Sequence, residues 1–314
     1  MAELESRYRA DINFRWVNDA HILALGRVPA GSRVLDLGTG DGSMARTLTQ
    51  MGCEVWAVEM DPESAEKARK WCREVVVADL NGLDLAKQFR TQKFDVVLML
   101  DVLEHVVDPG SVLSRVATVL DQRGWGIVSI PNVAHASVRL DLLEGRFTYR
   151  DTGLLDRTHL RFFDRPGLET LIHEAGYETF DQVAVIKELG TTEIPMDHPD
   201  PDLVARLADD PDAWVFQFVW SLAPTGSSVL TDPPLLPLAE TQAMALELLA
   251  SVRALEEGVA FLRQQLGQAT TVDLPHELEV IRLASEDRRR QLRDLLVAIE
   301  EDSERWKFSG GRSR

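Results

Sequence analysis

Short apolar runs recur along residues 33–130 at regular intervals. They are Arg33-Val-Leu-Asp-Leu37, Glu54-Val-Trp-Ala-Val58, Val75-Val-Val77, Phe94-Asp-Val-Val-Leu-Met-Leu100 and Gly126-Ile-Val-Ser-Ile130. Each has the length of a strand, and the nearly unbroken hydrophobicity of the fourth suits a strand buried on both faces. Between the runs the apolar period changes to that of a helix. Met44, Ala45, Leu48 and Met51 share one helical face, and Gly52 supplies a stop. Asp61-Pro62 is an N-cap and first-turn pair, followed by Ala65, Ala68 and Trp71 on one side. A further helix is expected from about Asp108 to Leu120. Strand alternating with helix predicts an α/β fold: a Rossmann-like, mostly parallel sheet with helices on both faces.

The flanks follow other patterns. Ile12, Trp16, Ile22, Leu23 and Leu25 predict a helix within 12–28, lying across the mouth of the sheet or packed on it. Residues 133–164 break the rhythm and form an insert rich in aromatic, histidine and arginine side chains. Arg165 to Ala175 returns to helical spacing. Tyr177 to Ile186 and Ala213 to Leu222 read as two strands that close the sheet as an antiparallel pair. The acidic segment between them is expected to be a loop with one short helix. A Pro- and Ser-rich stretch at 225–237 has the composition of a linker. Beyond it, Leu248, Val252, Leu255, Val259, Leu262 and Leu266 repeat at heptad spacing. Leu278, Ile281, Leu292, Leu295 and Ile299 continue an apolar side after a break. The domain division is therefore 1–224 for the α/β domain, 225–237 for the linker and 238–308 for a helical hairpin or coiled-coil arm. A disordered tail is expected at 309–314. An exposed apolar seam needs a covering surface, so the arm is expected to serve a homo-oligomer or a protein partner.

The chain has 314 residues and a formal net charge of −17. That charge opposes a broad electrostatic grip on nucleic acid. No apolar run reaches the length of about 18 residues that a membrane span needs. The charged N-terminus lacks the apolar core of a secretory signal. Cys53 and Cys72 lie among apolar elements and are expected to be reduced, buried thiols. A soluble, cytoplasmic location is the expectation.

Ligands of such sheets bind at the carboxyl ends of the strands. The polar residues that stand out fall there: Asp36 to Gly42, Glu59, Asp79, Asp101 to His105 and Asn132. Gly38, Gly40 and Gly42 form a tight turn before a helix start, where bare N–H groups can meet a ligand closely. Glu59, ending the second strand, can accept hydrogen bonds from both hydroxyls of a ribose. Asp36 precedes the first glycine by two residues, and its charge would repel a pyrophosphate. It suits a cationic or amino-bearing ligand instead. Val34-Leu-Asp-Leu-Gly-Thr-Gly-Asp-Gly-Ser43 with Glu59, Ala78-Asp79-Leu80 and Phe94-Asp-Val-Val-Leu98 resembles the class I S-adenosylmethionine-dependent methyltransferases over roughly residues 12–222. The resemblance implies that Asp36 and the Gly38, Gly40 and Gly42 backbone hold the methionine end of S-adenosylmethionine. It implies that Glu59 takes the ribose and Asp79 the adenine amino group, with Met60 and Leu80 beside the ring. The backbone near Leu100 would meet the methionine amine.

A second constellation is Asp101-Val-Leu-Glu104-His105, with His159 later in Asp-Arg-Thr-His-Leu-Arg-Phe-Phe163. Mixed carboxylate and imidazole groups could hold a divalent ion such as Mg²⁺. The pattern resembles the ubiquinone-pathway O-methyltransferases and the small-RNA terminal 2′-O-methyltransferases. In those families such a run binds a metal at the substrate hydroxyls, which here would assign Asp101, Glu104, His105 and His159 as ligands. Asp101 departs from the usual, longer Glu. The alternative is a metal-free loop in which Glu104 and His105 form ordinary hydrogen bonds. The catalytic candidates are His159, His105 and Glu104, with His135 a further candidate base. Phe147, Tyr149, Phe162 and Phe163 line a substrate pocket or belong to the core. The expected activity is methylation of a hydroxyl on a small-molecule or glycan acceptor. An RNA 2′-O-methyltransferase is disfavoured by the acidity, and a cofactor-binding assembly protein using the 238–308 arm is the non-enzymatic alternative.

Overall fold

The computed structural model describes residues 18–195, 201–208 and 210–234. The chain divides into two units at Leu236 and Pro237, and every described residue belongs to the first. The expected helical arm at 238–308, the tail at 309–314, and the positions Ile12 and Trp16 lie outside the described residues.

Helix α1 (Ala20–Leu25) precedes β1 (Arg33–Leu37), α2 (Ser43–Gln50), β2 (Glu54–Glu59), α3 (Pro62–Ala68) and β3 (Glu74–Val77). Then come α4 (Leu85–Gln88), β4 (Phe94–Leu100), α5 (Pro109–Ala117), β5 (Leu120–Pro131), α6 (Ala136–Leu143) and α7 (Arg165–Glu174). Strands β6 (Tyr177–Ile186) and β7 (Val215–Pro224) flank α8 (Pro201–Ala208). The seven strands lie in the order β3-β2-β1-β4-β5-β7-β6. The first five are parallel, while β7 is antiparallel to both β5 and β6. The late strands thus close the sheet as an antiparallel pair, with the later one inside.

Period-two alternation sorts the strand side chains between two cores. Val34, Val96, Leu98, Trp125 and Ile127 pack with α1, α2 and Val138 of α6 on one face. Leu35, Leu37, Val97, Met99, Val128 and Ile130 pack with Leu85 of α4, Val112 and Leu113 of α5, and Leu168 and Ile172 of α7 on the other. Both faces are covered, which is why β4 could be apolar almost throughout. Helix α3 starts as its sequence suggests: the Asp61 side chain accepts from the Ser64 N–H at 2.8 Å, with Pro62 at the first position. Cys53 is buried, whereas Cys72 is only half-buried, and both are free thiols.

Three boundaries shift from the sequence pattern. Helix α1 is limited to six residues. Helix α5 stops at Ala117, because β5 begins at Leu120 and is twelve residues long. The insert after Asn132 contains the ordered helix α6, capped by His135.

Candidate functional site

The rim formed by the carboxyl ends of β1, β2 and β4 collects most of the expected residues. Leu37 pairs with Val58 and Met99, so the chain leaves all three strands at one level. The glycine turn follows β1. Its start is pinned by the Gly38 N–H to Val58 C=O bond at 2.8 Å. Gly38, Gly40 and Gly42 all have positive φ. At Gly42 (φ +85°) a Cβ would also lie 2.8 Å from the Ala68 Cα, so α3 closes on the start of α2. At Gly38 a Cβ would lie 2.7 Å from Val102 Cγ2, so the chain leaving β4 rests on the turn. Gly40 meets nothing within 4 Å, and its demand for glycine is conformational alone.

Glu59 is tied to this turn. Its two carboxylate oxygens accept from the Gly40 N–H and the Asp61 N–H, each at 2.8 Å. The carboxylate is thereby fixed in direction at the rim, with lone pairs to spare for further donors. Asp36 is different. It is 3% exposed, and its Oδ2 has no hydrogen-bond partner. Burial and the nearby Glu59 charge push its carboxyl up to about 6. Thr39 Oγ1 beside it is also buried and unpartnered. His21 of α1 feels the same acids. Burial alone would lower its pKa, but Asp19, Asp101 and Asp36 leave it raised.

The adenine-side candidates are open to solvent. Met60 is 68% exposed and Leu80 half-buried. Asp79 is exposed, and one of its oxygens accepts from the Asn81 N–H and side-chain amide at 2.8 Å. It forms an Asx turn while its other oxygen has no such bond. Leu100 is buried at the end of β4.

The second constellation divides. Glu104, His105 and His159 each offer a ligand atom, and these atoms lie within 4.8 Å of one another. Asp101 is not among them. Its carboxylate turns to β5 and β7, where it accepts from Gln217 Nε2 and from Ser129 Oγ at 3.3 Å. Asp101, expected as a fourth ligand, therefore stands outside this group. The short Asp side chain is already held by side chains from strands far away in sequence.

Glu104 is 1% exposed, and neither carboxylate oxygen has a hydrogen-bond partner. Burial, with the neighbouring Asp101 charge, holds its carboxyl well above the usual range. An unpaired buried carboxylate is costly unless a cation or proton joins it. The insert is docked on the same residue: the Glu104 carbonyl accepts from the Leu160 N–H at 2.8 Å and the Arg161 N–H at 3.1 Å. Asp156 fixes the turn before His159 by accepting from the Thr158 N–H and hydroxyl at 2.7 and 2.6 Å. Burial, then the His105 charge, lowers His159 to about 4, so its ring is neutral at pH 7. His105 Nδ1 lies 3.2 Å from the Thr158 carbonyl.

His135 is removed from the candidate bases. Its Nδ1 meets Ser137 Oγ at 2.9 Å and its Nε2 meets the Lys187 carbonyl at 3.0 Å. Both ring nitrogens are engaged inside the protein, and its role is to cap α6. The aromatic group also splits. Phe163 is 9% exposed and belongs to the core, whereas Tyr149 is 52% exposed. Rings run from Tyr149 to Phe147 at 5.5 Å, to Phe162 at 5.9 Å, to His159 at 6.1 Å and to His105 at 4.8 Å. This aromatic path joins the surface of the insert to the Glu104 cluster. Sequence patterning missed Ser129 and Gln217. The available signal was a polar residue inside an apolar run: Ser129 within 126–130, and Gln217, with Ser221, within 215–224.

A family model described as a methyltransferase domain matches residues 7–182, more than half of the chain. The ubiquinone biosynthesis O-methyltransferase of Xanthomonas axonopodis pv. citri is 30% identical over 167 residues, covering 51% of this chain and 68% of that protein. The protein of the same name from Thiobacillus denitrificans is 27% identical over 172 residues, covering 54% and 71%. Among solved structures, magnesium protoporphyrin IX methyltransferase from Synechocystis with bound SAH aligns at 16% identity over 68% of this chain and 83% of that one. The TM-score is 0.44.

Proposed function

Because the chain belongs to the class I S-adenosylmethionine-dependent methyltransferases, we propose that it methylates a hydroxyl on a small molecule, with Asp36 seating the donor. The single observation that carries this reading is the fully buried Asp36 carboxylate, one oxygen of which has no partner. S-adenosylmethionine brings the positive charge such a group lacks. Glu59, held by two main-chain N–H groups, is oriented to accept from the ribose hydroxyls. Asp79, Met60 and Leu80 would flank the adenine, and Leu100 would offer its carbonyl to the donor ammonium.

In the transfer, the sulfonium S–CH₃ bond breaks as the acceptor oxygen bonds to the methyl carbon, and the hydroxyl proton leaves. Positioning supplies much of the acceleration. The aromatic path from Tyr149 to His105 suits a planar, hydroxylated acceptor, in keeping with the ubiquinone-pathway relatives. Glu104, His105 and His159 fit a divalent cation, because two buried oxygens await a partner and the imidazole of His159 is neutral. Such an ion, when bound, would lower the pKa of the acceptor hydroxyl. Without one, His159 is the base that takes the proton, with its ring packed edge-on against His105 and the Glu104 carboxyl close by.

Titration calorimetry with S-adenosylmethionine on wild type and Asp36→Asn tests the seat. A charged hydrogen bond contributes about 1.5–3 kcal/mol, so the variant should bind about tenfold to a hundredfold more weakly. Equal affinity in a folded variant sinks the assignment. Methyl transfer to hydroxylated aromatics and sugars, with and without EDTA, then distinguishes a cation from His159 acting alone.

A further inference from the structure

Asp101 has φ +54° and is the sole non-glycine residue with positive φ among the described residues. Asp tolerates this region better than most side chains, but something must still hold it there. Its N–H donates to the Ser129 carbonyl at 3.2 Å and to Ser129 Oγ at 3.0 Å. Its carboxylate accepts from Ser129 Oγ and from Gln217 Nε2. Gln217 Nε2 also donates to Ser129 Oγ at 3.1 Å. Ser129 Oγ thus donates once and accepts twice, which exhausts a hydroxyl.

This knot, in which Ser129 and Gln217 are buried and Asp101 half-buried, sits where the chain leaves β4. Leu100, one residue before, carries the carbonyl proposed to meet the donor ammonium. Val102, one residue after, stands against Gly38 of the glycine turn. A change in the Asp101 backbone would therefore move both sides of the donor seat. Gln217 can reach this point because β7 is antiparallel. Its pairing with Pro131 brings the beginning of β7 to the rim where the parallel strands end.

We infer that Gln217 is a positioning residue for the donor: it clamps Asp101 in its left-handed turn and so aims the Leu100 carbonyl and the Val102–Gly38 contact. The inference rests on the donor seat proposed above. It differs from that proposal in assigning a residue from the last strand, one that need not touch the donor.

Calorimetry with S-adenosylhomocysteine, which needs no acceptor, provides the test on wild type, Gln217→Leu and the reciprocal double variant Asp101→Asn/Gln217→Glu. Hydrogen exchange over residues 100–105 and the melting temperature are measured alongside. Gln217→Leu should bind about tenfold more weakly, with faster exchange in 100–105 and no matching change in peptides from β1 and β2. The double variant restores a donor, an acceptor and one buried acid, and should recover affinity to within about threefold of wild type. Unchanged affinity in Gln217→Leu overturns the clamp, as does a loss that the double variant leaves unrepaired. If Gln217→Leu fails to fold, the double variant decides: wild-type-like affinity supports the clamp, and a folded double variant that binds weakly overturns it. Wild type failing to bind S-adenosylhomocysteine would bring down the donor seat itself, and the clamp with it.

Discussion

At the scale of single residues, the site is defined by acids that the fold leaves without partners. Asp36 and Glu104 are both buried, with one oxygen of Asp36 and both of Glu104 lacking a hydrogen-bond partner. Each has a raised pKa, so each favours folding while protonated and opposes it once ionised. For Asp36, the favourable contribution is present below the ordinary carboxylate value of 3.8 and lost as pH rises through about 6. Glu104 acts in the same direction from its ordinary 4.5 upward. Glu104→Gln should therefore stabilise the ligand-free protein by about 1–3 kcal/mol at pH 8, with the gain shrinking toward pH 5. Chemical denaturation at the two pH values measures this. A variant less stable than wild type at pH 8 would mean that Glu104 has a partner after all. His135 carries the opposite lesson, because a histidine within the insert proves to be a helix cap.

At the scale of elements, the β1–turn–α2 unit is set by close approach as much as by conformation. Gly42 faces the Ala68 backbone and Gly40 faces open space, although both have positive φ. Left-handed φ alone costs an alanine about 1–2 kcal/mol. Gly42→Ala should lose that amount and more, because α3 cannot recede without uncovering its small core of Ala57, Ala65, Ala68 and Val75. Thermal melts of Gly40→Ala and Gly42→Ala should show the larger drop for Gly42→Ala. Equal drops would remove the steric argument. The strands of the sheet centre were legible, since burial on two faces leaves an apolar run, although β5 begins at Leu120, six residues before the run that marked it. Helix ends were less so. Asp108 and Ala117 bound α5 through a cap and the onset of β5, and the apolar residues Val119 and Leu120 fit either element.

At the scale of the whole molecule, a net charge of −17 meets a rim where Asp36, Glu59, Asp101 and Glu104 gather. A cationic donor relieves part of that burden and the neutral product relieves less. S-adenosylmethionine should therefore raise the melting temperature more at pH 7.5 than at pH 5, because Asp36 is ionised only at the higher value. S-adenosylhomocysteine should show a smaller pH difference. Equal shifts for both ligands at both pH values would argue that no buried carboxylate answers the donor's charge. Among the described residues, no helix is long and apolar enough to cross a membrane.

The order of strands and helices, the glycine turn and the two acids Asp36 and Glu59 could be read from sequence because each rests on local spacing. Periodicity, a turn's demand for glycine and a strand's end are properties of neighbouring residues. The tertiary structure alone decided that Asp101 turns away from Glu104, His105 and His159, and that Gln217 and Ser129 take hold of it. Those bonds span 116 and 28 residues. The first depends on β7 running antiparallel beside β5 and the second on β5 lying parallel beside β4, and a sequence read residue by residue carries no record of which distant strand becomes a neighbour.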